Sequence, residues 1–258
     1  MLKSHALYFL GAGLFLSYSM SVYALPQEKF LQQQTMSVTQ NTQFCRQIPA
    51  FCSENKASFY QVKGHPEQLY AINDLKLAEI RQQADQFSIV QQWDFSTYQP
   101  RTQAARWASF DRGDEKHLSI FPKLFPINEK NYAVGIVQSW QEGYSGGGMS
   151  EEVVDFVELK ANGTYQQVFQ NIPLSMYRMI RACFSEEDYT GSDGVCHDEY
   201  TLDSQIVYVK PYTWQVKYHY QADFSPASAS GTKPINLRQS YLLKDNRADA
   251  IILPKAWE

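Results

Sequence analysis

A glycine-rich segment gives the closest match to a catalytic pattern in this chain. Residues 143–147 read Gly-Tyr-Ser-Gly-Gly, which fits the G-x-S-x-G pattern of the nucleophile elbow in serine hydrolases. In that elbow, small residues permit a sharp strand-to-helix turn that exposes the serine beside backbone N–H groups. Ser145 would be the nucleophile, and the downstream candidates for its partners are His197, His219, Asp193 and Asp223. The polar residues before this segment and the lack of repeated strand–helix units favour a hairpin loop instead.

The same segment has the composition of a binding loop. Glycines let a backbone approach a ligand closely, and aromatic side chains offer rigid contact area. The residues expected to contact a sugar or peptide chain are Trp140, Tyr144, Gly146, Gly147, Gly148 and Met149. The alternative interpretation is that Trp140 belongs to the core and that the glycines only turn the chain.

An acidic stretch near residue 190 is a candidate calcium site. Calcium takes six to eight oxygen ligands, and the side chains that could supply them are Glu186, Asp188 and Asp193. Their spacing does not match the EF-hand loop, so a solvated acidic loop is the alternative. His197, Asp198 and Glu199 follow directly, but alternate residues of a strand face opposite ways, which separates Asp198 from the other two.

Three further carboxylates could serve glycoside hydrolysis, which requires two carboxyl groups about 5–10 Å apart. They are Glu151, Glu152 and Asp155. On one strand Glu151 and Asp155 share a face but lie four residues apart, which is too far unless another strand contributes.

The four cysteines form two close pairs in the sequence, Cys45 with Cys52 and Cys183 with Cys196. In an oxidising compartment two local disulfides are the leading pairing of the three possible ones. Closing loops of 8 and 14 residues stabilises a fold by about 2.5 and 3 kcal/mol in the chain-entropy model. A thiolate metal site is disfavoured because no C-x-x-C motif occurs.

The N-terminus has the pattern of a cleavable export signal. Lys3 and His5 precede an apolar run over residues 6–16, and Val22-Tyr23-Ala24 supplies small residues at the positions that a signal peptidase recognises. The apolar run is shorter than the about 20 residues that span a bilayer. We therefore expect residues 1–24 to be removed and the mature protein to begin at Leu25, in the periplasm or secreted, without a membrane anchor.

The rest of the chain predicts one mainly β domain over residues 25–258. Alternation is clearest over Trp214–Gln221, and Asn162-Gly163 is a tight-turn signal between two apolar segments. The fold class we expect is an antiparallel β-meander or sandwich, marginally α+β. One short helix is expected near residues 73–85, with Asn73 or Asp74 as its cap and Leu77, Ile80 and Ala84 on one stripe.

The net charge argues against nucleic acid as a partner. Without residues 1–24 the chain has 22 basic and 27 acidic side chains, a net charge of −5, whereas a nucleic-acid-binding domain would show a basic stripe. With no catalytic constellation in a supporting context, the leading hypothesis is a non-enzymatic binding protein, of inhibitor or immunity type. It would contact an envelope protein or a glycan through the glycine-rich loop, with no cofactor. The alternatives are a serine hydrolase using Ser145 and a small-ligand or calcium-binding module.

Overall fold

The computed structural model describes residues 25–54, 56–100, 117–228 and 233–244. Within these residues the strands are β1 Lys29–Gln34, β2 Ser58–Val62, β3 His65–Asn73, β4 Lys76–Gln83, β5 Gln86–Asp94, β6 His117–Pro126, β7 Tyr132–Tyr144, β8 Gly147–Leu159, β9 Tyr165–Arg181, β10 His197–Lys210, β11 Thr213–Asp223 and β12 Ile235–Lys244. The α-helices are α1 Val38–Gln47 and α2 Glu186–Gly191, and a 3-10 turn covers Pro49–Phe51. The predicted signal segment, residues 1–24, lies outside the described residues.

All strand pairs are antiparallel, and they form one sheet in the order β12-β11-β10-β9-β8-β7-β6-β1-β2-β3-β4-β5. Strands β6 to β12 follow chain order, as do β1 to β5, and β1 joins the two series by pairing with both β2 and β6. The disulfides Cys45–Cys52 and Cys183–Cys196 are both formed. The mainly antiparallel β fold with two local disulfides is therefore confirmed, and the disulfides indicate an oxidising, non-cytoplasmic environment.

The central hairpin β7–β8 is buried on both faces. On one face Ile136 and Val157 pack in a cluster with Leu77 of β4. On the other face Val154 and Phe156 pack in a cluster around Trp214 of β11, and the Phe156 and Trp214 ring centroids are 4.8 Å apart. The end of the sheet that contains β4 thus covers one face of the central hairpin, and the end that contains β11 covers the other.

The helix expected near residues 73–85 is wrong. This segment is strand β4, which begins after a turn in which Asp74 has a φ of 51°. Leu77 and Ala78 are both fully buried because β4 packs against a different apolar cluster on each face. Since both faces are apolar, the alternation expected of a half-buried strand is lost. A bulge between Glu79 and Ile80 disrupts the pattern further.

Helix α1 begins with a capping box, in which the side chains of Ser37 and Gln40 each accept a hydrogen bond from the other residue's backbone N–H group. The Cys45–Cys52 disulfide ties the end of this helix to the 3-10 turn that follows. Phe44 of α1 is fully buried and packs edge-to-face on Phe87 of β5, 5.3 Å between centroids. The helix therefore covers the outer face of the β3–β5 hairpins.

The turn predicted at Asn162-Gly163 is confirmed between β8 and β9. Gly163 has a φ of 79°, a conformation that L side chains rarely adopt. The Asn162 side-chain oxygen accepts hydrogen bonds from the backbone N–H and hydroxyl of Thr164.

Candidate functional site

The glycine-rich segment is the tight turn of the β7–β8 hairpin. Strand β7 ends at Tyr144 and β8 begins at Gly147, which leaves only Ser145 and Gly146 in the turn. Gly146 has a φ of 89°, so this position favours glycine. Ser145 thus lies between two antiparallel strands, not in the strand-to-helix turn of a nucleophile elbow.

The histidines proposed as partners of Ser145 lie on other strands. His197 pairs with Arg181, so β9 separates it from β8, and two strand spacings amount to about 10 Å. A nitrogen of the His219 ring is 3.0 Å from the Asn236 side chain on β12. Within the described residues, neither histidine is hydrogen-bonded to Ser145. The hydrolase hypothesis stays a prediction, and fluorophosphonate labelling that is lost in Ser145→Ala would test it.

The large side chains of the predicted binding segment differ in exposure. Trp140 and Met149 are buried, with 6 % and 7 % of their surface exposed, whereas Tyr144 is 44 % exposed. The Tyr144 hydroxyl donates a hydrogen bond of 3.0 Å to the Met179 carbonyl. Of these three residues, Tyr144 offers a partner the largest exposed fraction of its surface.

The glycines accommodate the protein's own side chains. A Cβ at Gly147 would lie 2.5 Å from the Tyr144 ring and from the Met179 carbonyl. A Cβ at Gly146 would lie 2.7 Å from Cδ of Arg181. The third glycine, Gly148, is paired with Met179. The hairpin tip therefore packs tightly against the end of β9.

Arg181 joins this tip to the disulfide loop. Its Nε donates a hydrogen bond of 2.6 Å to the Cys183 carbonyl, and its Nη2 donates one of 3.0 Å to the Tyr189 hydroxyl. Its guanidinium lies 5.3 Å from the centroid of the Phe184 ring. Two segments that are remote in the sequence thus meet at one arginine, which sequence reasoning missed because a single arginine in a strand gives no signal.

The acidic stretch forms a capped helix inside the Cys183–Cys196 loop. Ser185 caps α2, and the Asp188 carboxylate accepts hydrogen bonds of 2.9 Å from the Phe184 and Ser185 N–H groups. These bonds lower the pKa of Asp188. The described part of the chain contains no cluster of three or more His, Cys, Asp or Glu side chains that could hold a metal ion. Glu186, Asp188 and Asp193 therefore do not converge.

Residues 142–149 and 178–199 together make one exposed region, which we name the tip surface. It presents Phe184, Val195 and Tyr189, which are 74 %, 55 % and 47 % exposed. Apart from His197, its side chains that are charged at neutral pH are seven carboxylates and two guanidinium groups. The tip surface therefore combines large apolar side chains with a net negative charge.

Glu151 and Asp155 of β8 do not form a glycosidase pair. Asp155 is fully buried, and it accepts hydrogen bonds from the Tyr98 hydroxyl at 2.8 Å and the Asn171 N–H at 2.6 Å. Glu151, on the same face, is also buried. Glu152 accepts a hydrogen bond of 2.8 Å from the Ser175 hydroxyl. Four residues of strand separate Glu151 from Asp155 by about 13 Å, beyond the range for this chemistry.

No family model, curated protein or solved structure matches this chain. None of the helices in the described ranges is long and apolar enough to cross a membrane.

Proposed function

We propose that this protein is an exported, non-enzymatic binding protein that holds a basic protein partner through the tip surface, as an inhibitor or immunity protein of the periplasm or the extracellular space. The observation on which the proposal depends is the Arg181 junction: its side chain is hydrogen-bonded to the disulfide loop, and its aliphatic stem packs against Gly146 of the hairpin tip. A disulfide and a capped helix hold that loop. Such preorganisation reduces the entropy lost on binding.

The chemistry of the tip surface supports a protein partner. Phe184 is three-quarters exposed, with its ring beside a guanidinium. Aromatic and arginine side chains are enriched among the residues that dominate protein–protein binding energy. Because an exposed phenylalanine costs free energy in water, burial in a partner's pocket supplies a gain on association.

Charge supports a basic partner. The tip surface has seven carboxylates against two arginines, and complementary potentials accelerate the encounter of two proteins. The side chains of Glu186, Glu187 and Glu199 are exposed, so they can form the polar rim around an apolar centre. The partner we expect presents an apolar pocket surrounded by lysine and arginine.

The experiment begins with capture of proteins from an envelope extract, at low salt, on the immobilised protein with its disulfides intact. The captured protein is then purified, and its Kd is measured for three forms: wild type, Phe184→Ala and Leu242→Ala. Leu242 is the matched control, since it is 56 % exposed but lies on β12, outside the tip surface. Melting temperatures establish that each variant is folded.

We expect Phe184→Ala to weaken binding at least tenfold, with Leu242→Ala within about twofold of wild type, since truncation of a central anchor costs about 2 kcal/mol or more. Raising the ionic strength should slow association. An equal Kd for both variants, or association that salt does not slow, would contradict the proposal. So would an extract from which no saturable partner is recovered.

A further inference from the structure

A polar cleft lies on one face of strands β6 to β9, along the hairpin from the tip surface. The strand register places one residue of each strand in a single row: His117, Ser139, Glu152 and Ser175. The next row toward the tip contains Gln141 and Ser150. These side chains line a cleft of about 590 Å³, within the range of about 300–1,000 Å³ that is typical of small-ligand sites.

The described lining of this cleft is negatively charged, which disfavours anionic ligands. Glu151 and Glu152 line it, and no lysine or arginine is among its described lining residues. The Ser175 hydroxyl donates to Oε2 of Glu152 at 2.8 Å, which fixes the carboxylate. Within the described part of the chain Oε1 has no hydrogen-bond partner, so it can accept a hydrogen bond from a ligand. A ligand that donates through hydroxyl groups fits this oxygen.

Three of the other lining residues can both donate and accept hydrogen bonds. Ser139 and Ser150 contribute hydroxyls and Gln141 contributes an amide, and none of the three is bonded to another described side chain or backbone group. Cross-strand neighbours lie about 5 Å apart, which is close to the width of a sugar ring. A polyhydroxylated ligand can therefore bond several of them at once.

An aromatic residue is the cross-strand neighbour of one lining residue of this cleft. Tyr177 pairs with Ser150 across β8 and β9, so both side chains are on the same face of the sheet. The tyrosine is 37 % exposed. Its ring face can pack against the C–H face of a sugar, while the row of polar groups bonds the hydroxyls.

We propose that this cleft is the binding site of a neutral oligosaccharide, with Glu152 as the residue that accepts hydrogen bonds from its hydroxyl groups and Tyr177 as the ring on which one sugar packs. The cleft is distinct from the tip surface, since Glu152 lies five residues along β8 from its start at Gly147. The protein would therefore combine a site for a glycan with a separate site for a protein.

The test is an array of neutral, anionic and amino-bearing oligosaccharides, probed with the full protein. The Kd of the strongest neutral oligosaccharide is then measured by calorimetry for wild type, Glu152→Gln and Asp203→Asn. Asp203 is the matched control, because it is an exposed carboxylate in the same row of the sheet, next to Ser175 on β10, but outside the cleft. Ser150→Phe, which fills the cleft, is a second variant, and melting temperatures establish folding.

We expect Glu152→Gln to weaken binding about tenfold or more, because a hydrogen bond to a charged acceptor is lost. Ser150→Phe should abolish binding, and Asp203→Asn should leave it within about twofold. The Phe184→Ala variant should bind the oligosaccharide normally, which separates this proposal from the one on the tip surface. Wild type that binds no neutral oligosaccharide, or Glu152→Gln and Ser150→Phe that bind as wild type does, would overturn the proposal. Binding of amino sugars alone, abolished by salt, would overturn it as well.

Discussion

Replacement of Arg181 by methionine should loosen the disulfide loop from the sheet. Methionine keeps an aliphatic stem against Gly146 but removes the hydrogen bonds to the Cys183 carbonyl and the Tyr189 hydroxyl. Each such bond from a charged donor contributes about 1.5–3 kcal/mol when buried, and the contact with the Phe184 ring about 0.5–1 kcal/mol. Because Arg181 is only half-buried, water replaces part of these interactions in the variant. We expect the local stability of the disulfide loop to fall by about 2 kcal/mol in total.

The loss should appear as local opening, since the Cys183–Cys196 disulfide keeps the loop attached. The assay is amide hydrogen exchange of α2, in particular at Ser192, whose N–H donates to the Asp188 carbonyl. A loss of 2 kcal/mol in local stability corresponds to exchange that is about 30-fold faster. Amides in the β7 and β8 strands below the tip should keep their wild-type rates.

The matched control is Arg178→Met. Arg178 lies on the same strand and in the same region, but its side chain makes no hydrogen bond to another described residue. We expect its replacement to change exchange at Ser192 by less than threefold. If Arg181→Met also changed it by less than threefold, or if both variants changed it equally, the account of Arg181 as the junction would be refuted.

Three further predictions concern the interior and the tip. Gly147→Ala should destabilise the fold by about 1–3 kcal/mol through overpacking, measured by urea unfolding. Gly143→Ala should cost less, because a Cβ there meets nothing within 4 Å; equal costs would contradict this reasoning. Asp155→Asn should lower the free energy of unfolding by about 1.5–3 kcal/mol, because its amide cannot accept both buried hydrogen bonds; a change below about 0.5 kcal/mol would argue against it. Burial raises the pKa of Tyr220 to about 12. Above pH 10 the Tyr220 hydroxyl therefore keeps its proton in the folded state and loses it in the unfolded state. Stability should therefore fall between pH 10 and 12, and Tyr220→Phe should make that slope shallower by up to about 1.4 kcal/mol per pH unit; an unchanged slope would exclude this cause.

Several elements could be predicted from the sequence because their signals are local. The β11 strand shows strict alternation around Trp214 and Val216, since one of its faces is buried and the other is partly solvated. Segments that pack on both faces gave misleading signals. In β4 the apolar residues fall by chance at helical spacing, and only the two clusters that cover Leu77 and Ala78 decide that it is a strand. Strand β1 and helix α1 were missed for a different reason, because Gln- and Thr-rich segments have little periodicity.

The candidate site was predicted in part. Sequence composition identified the glycine-rich and acidic segments, and the structure places them side by side. Trp140 shows where composition misleads, because an aromatic residue beside glycines belongs equally well to a loop or to a core, and here it is buried. Glu151 and Glu152 were named from the sequence as candidate carboxylates, but the cleft around them had no signal, since its serines and glutamine are common residues at unrelated positions.

The sequence by itself determined the features that depend on neighbours along the chain. Each disulfide closes a short loop, at Cys45–Cys52 and Cys183–Cys196, and the Gly163 turn needs only a backbone that permits a positive φ. The tertiary structure alone decided which distant residues meet. Arg181 reaches Gly146 because strand register sets the pairing of β8 with β9, and a shift of one residue would turn every side chain to the other face. That register is fixed by burial of the whole sheet, so no local segment of the sequence encodes it.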